Sequence, residues 1–392
     1  MILKPMVRNN ICLNAHPLGC AKETERQIDY VRKHADSYAR LKGPKAVLVV
    51  GCSTGYGLAS RISAAFGFGA PTVGVSFERS PSDTKTGTPG WYDNRAFEAA
   101  AKAARLSAIT LDGDAYAKDM KSRVAQAARD LGIKFDLVIY SLASPVRTDP
   151  ETGVMYKSVI KPLGSAYRGR NVDMFTGALS FAEVQGATED EAANTVKVMG
   201  GEDWKLWMDA MAAEGVLAPN ATTVAYSYIG PELSWAIYRD GTIGKAKDHL
   251  EASAKSINSG AKDGLKAYVS INKAVVTRSS AVIPVIPLYI SILFKVMKER
   301  GIHEDCIAQM DRLFRERLYS GGKVPLDGEG RIRLDELEMG AQVQAEVSAR
   351  MAKINEGNLA ELADVAGFRS EFLRIHGFEV DGVDYNAEVA TH

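Results

Sequence analysis

The chain has 392 residues, and its 48 lysines and arginines balance 48 aspartates and glutamates, so its formal net charge is zero. At 46% hydrophobic and 24% charged residues it can bury a large core, and at roughly 100–200 residues per domain it makes two domains or one enlarged α/β domain. A neutral balance supplies no field for nucleic acid or anionic lipid, which excludes them as partners.

Cys12, Cys20, Cys52 and Cys306 form no CxxC and no close cluster. That argues against a disulfide scaffold or structural zinc and fits a reducing cytoplasm. His16 and Cys20 are four residues apart, but Pro17 and Gly19 spoil a helical metal face, so no metal site is expected. The opening MILKPMVRNN lacks the apolar stretch of a signal peptide.

In chain order, KETERQIDYVRKHADSYARL (22–41) reads as a polar helix after an irregular lead-in. KAVLVVG (45–51) is a β-branched run ending in glycine, the mark of a buried parallel strand. A helix over 58–69 follows, then strands TVGVSFE (72–78) and SAITLDGDA (107–115), a helix over 119–132 and the strand FDLVIYSLAS (135–144). Strands alternating with helices in this way predict a doubly wound parallel sheet. Residues 145–200 break the pattern with prolines, glycines and short charged runs, and are read as an insertion. Beyond it come helices over 188–199 and 203–215, a strand over 222–230, a helix over 248–259 and a strand over 266–277. The last hundred residues are mostly helical, with a small hairpin expected within 324–337. AVIPVIPLYISILF (281–294) is almost wholly apolar but holds only 14 residues and two prolines, whereas a membrane span needs roughly 20. It reads as a buried segment or the wall of an apolar cavity.

Four strand ends carry cofactor signals. KAVLVV runs directly into GCSTGYGLAS, with Gly51, Gly55 and Gly57 where backbone must approach a pyrophosphate, turn tightly and start a helix. Such a trio is weak by itself; strand, glycines and helix in that order make it a nucleotide-binding turn. Glu78 ends the second strand 21 residues after Gly57. A carboxylate there accepts hydrogen bonds from the adenosine ribose and repels a 2′-phosphate, which favours NADH over NADPH. Arg79 beside it blurs that preference, and a solvated strand end is the plain alternative for Glu78. Asp114 stands where an acceptor for the adenine amino group is expected, and residues 141–144 supply small side chains beside the nicotinamide ribose. Together these positions line one crevice at the carboxyl ends of a parallel sheet.

YRDGTIGKAKDHL (238–250) holds a tyrosine followed by two lysines. A phenol with a pKa near 10 is a poor acid at neutral pH unless its anion is stabilised, and an ammonium that also binds the nicotinamide ribose does that. The lysine four residues on, common in short-chain reductases, is replaced by Thr242, which leaves Lys245 or Lys247. Taking about 100° per residue, Lys247 lies within roughly 50° of the apolar face carrying Leu250, Ala254 and Ile257, while Lys245 points nearly the other way. Helical phase therefore selects Lys247 as partner of Tyr238.

These residues, with MVRNNICLNAHPLGC, GCSTGYGLASRI, TPGWY, YSLASPVRTDP, VKVMGGEDW, AYSYIGPE and VVTRSSAVIPVIPLYISILFKVMKERG, resemble the trans-2-enoyl-CoA reductases and the Tyr-x8-Lys type of bacterial enoyl-ACP reductase along almost the whole chain. The resemblance implies an enlarged Rossmann-type domain over residues 1–392: a first cofactor-binding half over 45–145, an insertion over 145–200 and a catalytic, substrate-covering part over 200–392. It also implies NADH-dependent reduction of the 2,3 double bond of an enoyl thioester of CoA or acyl carrier protein. On that resemblance Tyr238 is the proton donor and Lys247 binds the cofactor ribose and tunes the phenol. Tyr228 contacts the substrate near its thioester, although its strand position alone suits a core tyrosine equally. Ile286 and Phe294 wall the acyl pocket. Gly51, Cys52, Ser53, Thr54, Gly55, Tyr56, Phe77, Glu78, Asp114, Ala115, Leu142, Ala143, Val276 and Thr277 hold NADH. A cytoplasmic monomer or weak homo-oligomer is expected. The alternatives are a reductase of 3-oxoacyl thioesters and a non-catalytic NADH-binding regulator.

Overall fold

The computed structural model describes residues 1–8 and 10–392. Strands β1 (Val47–Val50), β2 (Thr72–Ser76), β3 (Ala108–Asp112), β4 (Phe135–Tyr140), β5 (Leu217–Ser227), β6 (Lys266–Ile271) and β7 (Ile332–Arg333) form one sheet in the order β7-β6-β5-β4-β1-β2-β3. Every neighbour pair is parallel, with Val47 opposite Thr72 on one side and Leu137 on the other. The strand order reverses between β1 and β4, and ligands of such sheets bind in the crevice that opens there.

The helices are α1 (Pro17–Arg32), α2 (Gly55–Ile62), α3 (Pro89–Ala103), α4 (Lys118–Asp130), α5 (Glu189–Met199), α6 (Glu202–Ala213), α7 (Thr242–Ser259), α8 (Ile286–Glu299), α9 (Cys306–Arg312), α10 (Ala341–Lys353) and α11 (Val365–Ile375). Both faces of the sheet are covered, which is why β1 is apolar without interruption. Val47 and Val49 face α1, α2, α3 and α9 through Ile28, Leu58, Phe97 and Met310. Leu48 and Val50 face α4, α6 and α7 through Val124, Trp207 and Leu250. At roughly 25 cal/mol per Å² of apolar surface removed from water, these two layers supply the main driving force of folding.

A third core lies beyond the end of the sheet. It gathers α8, α10 and α11 with Val172 and Met174 of the insertion, and α8 is buried on all sides from Ile286 to Phe294. Pro287 falls in the first turn of α8, where its missing N–H breaks no helical bond. The chain enters α8 through Val285, whose φ of 64° is left-handed. Its side chain fills the space over Gly169, where an added Cβ would come within 2.5 Å of Val285 Cγ1.

Several elements differ from the sequence expectation. The helix expected over 22–41 starts at Pro17, stops at Arg32 and is followed by a separate turn, Ala35–Tyr38. Helix α3 has no counterpart in the sequence reading, although its leading Pro89 suits the first turn of a helix. Within 145–200 lie two antiparallel hairpins, Val146–Thr148 with Met155–Lys157 and Tyr167–Val172 with Leu179–Val184. No hairpin forms within 324–337; Ile332–Arg333 instead adds a parallel edge strand beside β6.

Candidate active site

The expected cofactor residues all stand just past strand ends on one edge of the sheet: 51–56 after β1, Phe77 and Glu78 after β2, Asp114 and Ala115 after β3, Leu142 and Ala143 after β4, and Val276 and Thr277 beyond β6. Gly51 has φ 88°, and a Cβ there would lie 2.1 Å from the Ser141 carbonyl oxygen, so this turn admits only glycine. A Cβ on Gly55 would meet nothing within 4 Å, and no side chain caps the helix that starts there. The first N–H groups of α2 are left for an anion, as a pyrophosphate requires.

The side chains around this turn are held from behind. Ser53 Oγ donates to Glu78 Oε1 at 2.6 Å, so the Glu78 carboxylate is tied to the glycine turn. The Tyr56 hydroxyl donates to the Lys273 carbonyl at 2.7 Å, joining that turn to the loop after β6. Cys52 is fully buried, so only its backbone can face a ligand. Phe77 is 79% exposed, an open aromatic face next to Glu78. Asp114 Oδ1 accepts from the Tyr116 N–H at 2.9 Å, leaving Oδ2 for a ligand. Thr277 and Ser280 bond each other's backbone and hold the end of the Val276 loop. Arg278 Nη1 stands 3.8 Å from Glu78, a basic group that no local signal around Glu78 announces. These residues fit a dinucleotide.

Tyr228 follows β5 directly, and Tyr238 sits in the turn after the short helix Glu232–Trp235. Their rings meet edge to face at 5.0 Å. Helix α7 begins at Thr242, six residues before the expected 248, because the insertion pins it: Thr242 N–H donates to Lys161 O at 2.9 Å and its hydroxyl to Val159 O at 2.5 Å. Gly244 lets the turn close, since a Cβ there would lie 1.8 Å from Arg239 O. Lys245 is exposed, whereas Lys247 turns inward and donates to Tyr226 O at 3.4 Å.

Burial lowers the Lys247 ammonium to about 8 and raises the Tyr238 phenol to about 12. The Tyr238 hydroxyl has no hydrogen-bond partner among the described residues, Lys247 included. Ile286 opens α8 and Phe294 lies two turns on; both are buried in the third core, against which Tyr228 and Tyr238 pack. Lys273 Nζ stands 4.7 Å over the Phe294 ring.

One residue at this site escapes sequence reasoning. Glu338, fully buried, accepts the hydroxyls of Tyr228 at 2.9 Å and Tyr289 at 2.5 Å on Oε1, and the Ala274 N–H at 2.6 Å on Oε2. It comes from RIRLDELEMG, where nothing distinguishes it from its exposed neighbour Glu336.

Comparison with known proteins decides the family. A family model described as the trans-2-enoyl-CoA reductase catalytic region matches residues 85–319, and one described as the NAD(P)H binding domain of trans-2-enoyl-CoA reductase matches residues 2–83. The chain belongs to the trans-2-enoyl-CoA reductase family. It is 57% identical to trans-2-enoyl-CoA reductase [NADH] of Treponema denticola, over 99% of this chain and 98% of that one. It is 53% identical to enoyl-[acyl-carrier-protein] reductase [NADH] of Flavobacterium johnsoniae, over 99% and 97%. The crystal structure of the Treponema denticola enzyme in complex with NAD superposes with a TM-score of 0.97 over 99% of this chain and 98% of that one.

A third model, described as an enoyl reductase FAD binding domain, matches residues 326–389. Val343, Val347, Phe368 and Phe372 fill the third core against α8, and Glu338 is bonded to three donors. Among the described residues no group of three His, Cys, Asp or Glu side chains could hold a metal ion, and no helix is long and apolar enough to cross a membrane.

Proposed function

We propose that the chain reduces the 2,3 double bond of trans-2-enoyl thioesters, working as one enlarged Rossmann-type reductase domain over residues 1–392. The observation that carries this reading is the pair of tyrosines, Tyr228 and Tyr238, in edge contact at 5.0 Å beyond the end of β5, with Lys247 turned inward and bonded to the Tyr226 carbonyl of that strand. NADH, when bound at the glycine turn, supplies the hydride to the β-carbon of the substrate. The electron pair displaced from the double bond then collects on the thioester oxygen as an enolate, and a fixed donor must meet it.

Tyr238 Oη holds the proton for that purpose. With its pKa pushed up to about 12 the phenol stays protonated throughout the neutral range, and it gives up its proton only when a strong base such as the enolate forms beside it. Lys247 Nζ, at about 8, is mostly charged at pH 7; one of its hydrogens serves Tyr226 O and the others are free for ribose hydroxyls. Tyr228 borders the thioester. Ile286 and the buried face of α8 take up the acyl chain and keep water from the enolate. Gly51 to Tyr56, Phe77, Glu78, Asp114, Ala115, Leu142, Ala143, Val276 and Thr277 line the cofactor side, and Glu78 favours NADH. The acyl carrier is CoA or acyl carrier protein. The four unpaired cysteines suit work in the cytoplasm, as a monomer or weak homo-oligomer.

The deciding experiment mixes the protein and NADH with crotonyl-CoA or, separately, with acetoacetyl-CoA and follows NADH absorbance. Rapid loss with crotonyl-CoA alone is expected. Oxidation by the 3-oxo thioester alone would make the chain a carbonyl reductase, and tight NADH binding without turnover would make it a regulator.

A further inference from the structure

We propose that Glu338 is a positioning residue for the reaction, a single carboxylate from the C-terminal segment that sets the substrate-side tyrosine, the covering helix and the cofactor-side loop relative to one another. The inference rests on the proposed enoyl reduction. Tyr228 stands at the end of β5, Tyr289 on the first turns of α8, and Ala274 at the start of the loop that reaches Val276 and Thr277. All three converge on Glu338, which none of the expected site residues includes.

The chemistry of the three bonds fixes directions. A tyrosine hydroxyl has one hydrogen, and Tyr228 gives it to Glu338, so its ring cannot swing away from Tyr238 without stranding a buried carboxylate. Tyr289 likewise gives its hydrogen to Glu338 while accepting from Gln344 Nε2 at 3.3 Å. The Ala274 N–H reaches the other carboxylate oxygen. Lys273 Nζ, donating to Ala274 O at 2.9 Å, is the nearby cation, and the Gln309 side chain holds the Lys273 N–H at 3.0 Å. A buried carboxylate costs more than an apolar side chain of equal volume, so a merely space-filling role at this point would favour leucine or methionine. Three donors of fixed direction, meeting where substrate side and cofactor side join, are what a positioning group requires.

Glu338→Gln tests this. The glutamine carbonyl can still accept the Ala274 N–H, but its amide turns donors towards both tyrosine hydroxyls. The expected result with crotonyl-CoA is a roughly 30-fold fall in kcat, with KM for NADH within about twofold and Tm within a few degrees of the unaltered protein. In a Tyr228→Phe background the same change should cost less than about threefold, because a residue acting through Tyr228 has nothing left to act on. Glu338→Asp, too short to reach all three donors, should fall between.

Unchanged kcat in Glu338→Gln overturns the proposal. An equal loss with and without the Tyr228 hydroxyl also overturns it, as does collapse of Tm and NADH binding together in both Gln and Asp variants. If the unaltered protein does not oxidise NADH with crotonyl-CoA, the proposed function is what has failed.

Discussion

At the ends of β1 and β2 the crevice is shaped by main chain; at the ends of β5 and β6 it is shaped by side chains. The first end needs a glycine at φ 88°, an uncapped helix and a carboxylate tied to a serine, all within 51–78. The second end draws on Tyr228, Tyr238, Ala274 and Glu338, separated by up to 110 residues and joined by hydrogen bonds and one aromatic contact, with Lys247 bonded to the main chain of β5 at Tyr226. A ligand gripped by backbone keeps its site when a side chain is trimmed, whereas chemistry done by side chains is lost with a single atom.

The widest separation between the two ends is expected from Tyr238→Phe. Removing the hydroxyl should lower kcat with crotonyl-CoA by roughly 10² to 10⁴, the range of a lost general acid, while the NADH dissociation constant measured by fluorescence stays nearly constant. Equal loss of NADH binding would join the two ends and break the comparison.

Lys247 is proposed to serve both the cofactor ribose and the phenol, so Lys247→Met should damage both, with NADH affinity down roughly tenfold and kcat lower as well. Lys245→Met should change neither. The sign of the pH effect follows from a folded pKa lowered to about 8: the ammonium is present below that pH and lost above it. NADH affinity should therefore fall as pH rises through about 8, and titration of Lys247→Met should show no such limb. Equal effects from the two lysines would sink the helical-phase argument.

The smallest effect belongs to the backbone end. Glu78→Ala removes the carboxylate proposed to repel a 2′-phosphate and leaves Arg278 beside the vacated space. The ratio of kcat/KM for NADPH over NADH should rise by roughly tenfold, and an unchanged ratio would place Glu78 away from the ribose.

The same contrast explains what the sequence makes legible. Strand β1 reads as buried because parallel strands are apolar on both faces, and the glycines after it sit in one local window. Lys247 could be separated from Lys245 because helical phase is local too. Glu338 is assembled by tertiary contact across 110 residues, so no window around it carries the signal. Pro89, Gly90, Asp93 and Asn94 obscure helix α3, because these residues also make turns; here Asp93 is buried beside Thr24 of α1, and Asn94 donates to Ser76 of β2. Of the strand residues in the hairpins of 145–200 only Arg147 and Val172 are buried, so no apolar alternation marks them. Arg278 reaches Glu78 from 200 residues away.

The interlock of Val285 with Gly169 constrains how this part of the chain can vary. A β-branched residue at φ 64° is strained by about 1–3 kcal/mol, held only because its surroundings leave no relaxed choice. Any side chain at 169 would strike Val285, and a glycine at 285 would release the strain but empty the space above Gly169. Neither position can drift alone without loss; an exchange of small for large has to occur at both. The two residues lie 116 apart in sequence and should vary as one site, and the angle at which α8 enters the crevice is inherited with the pair.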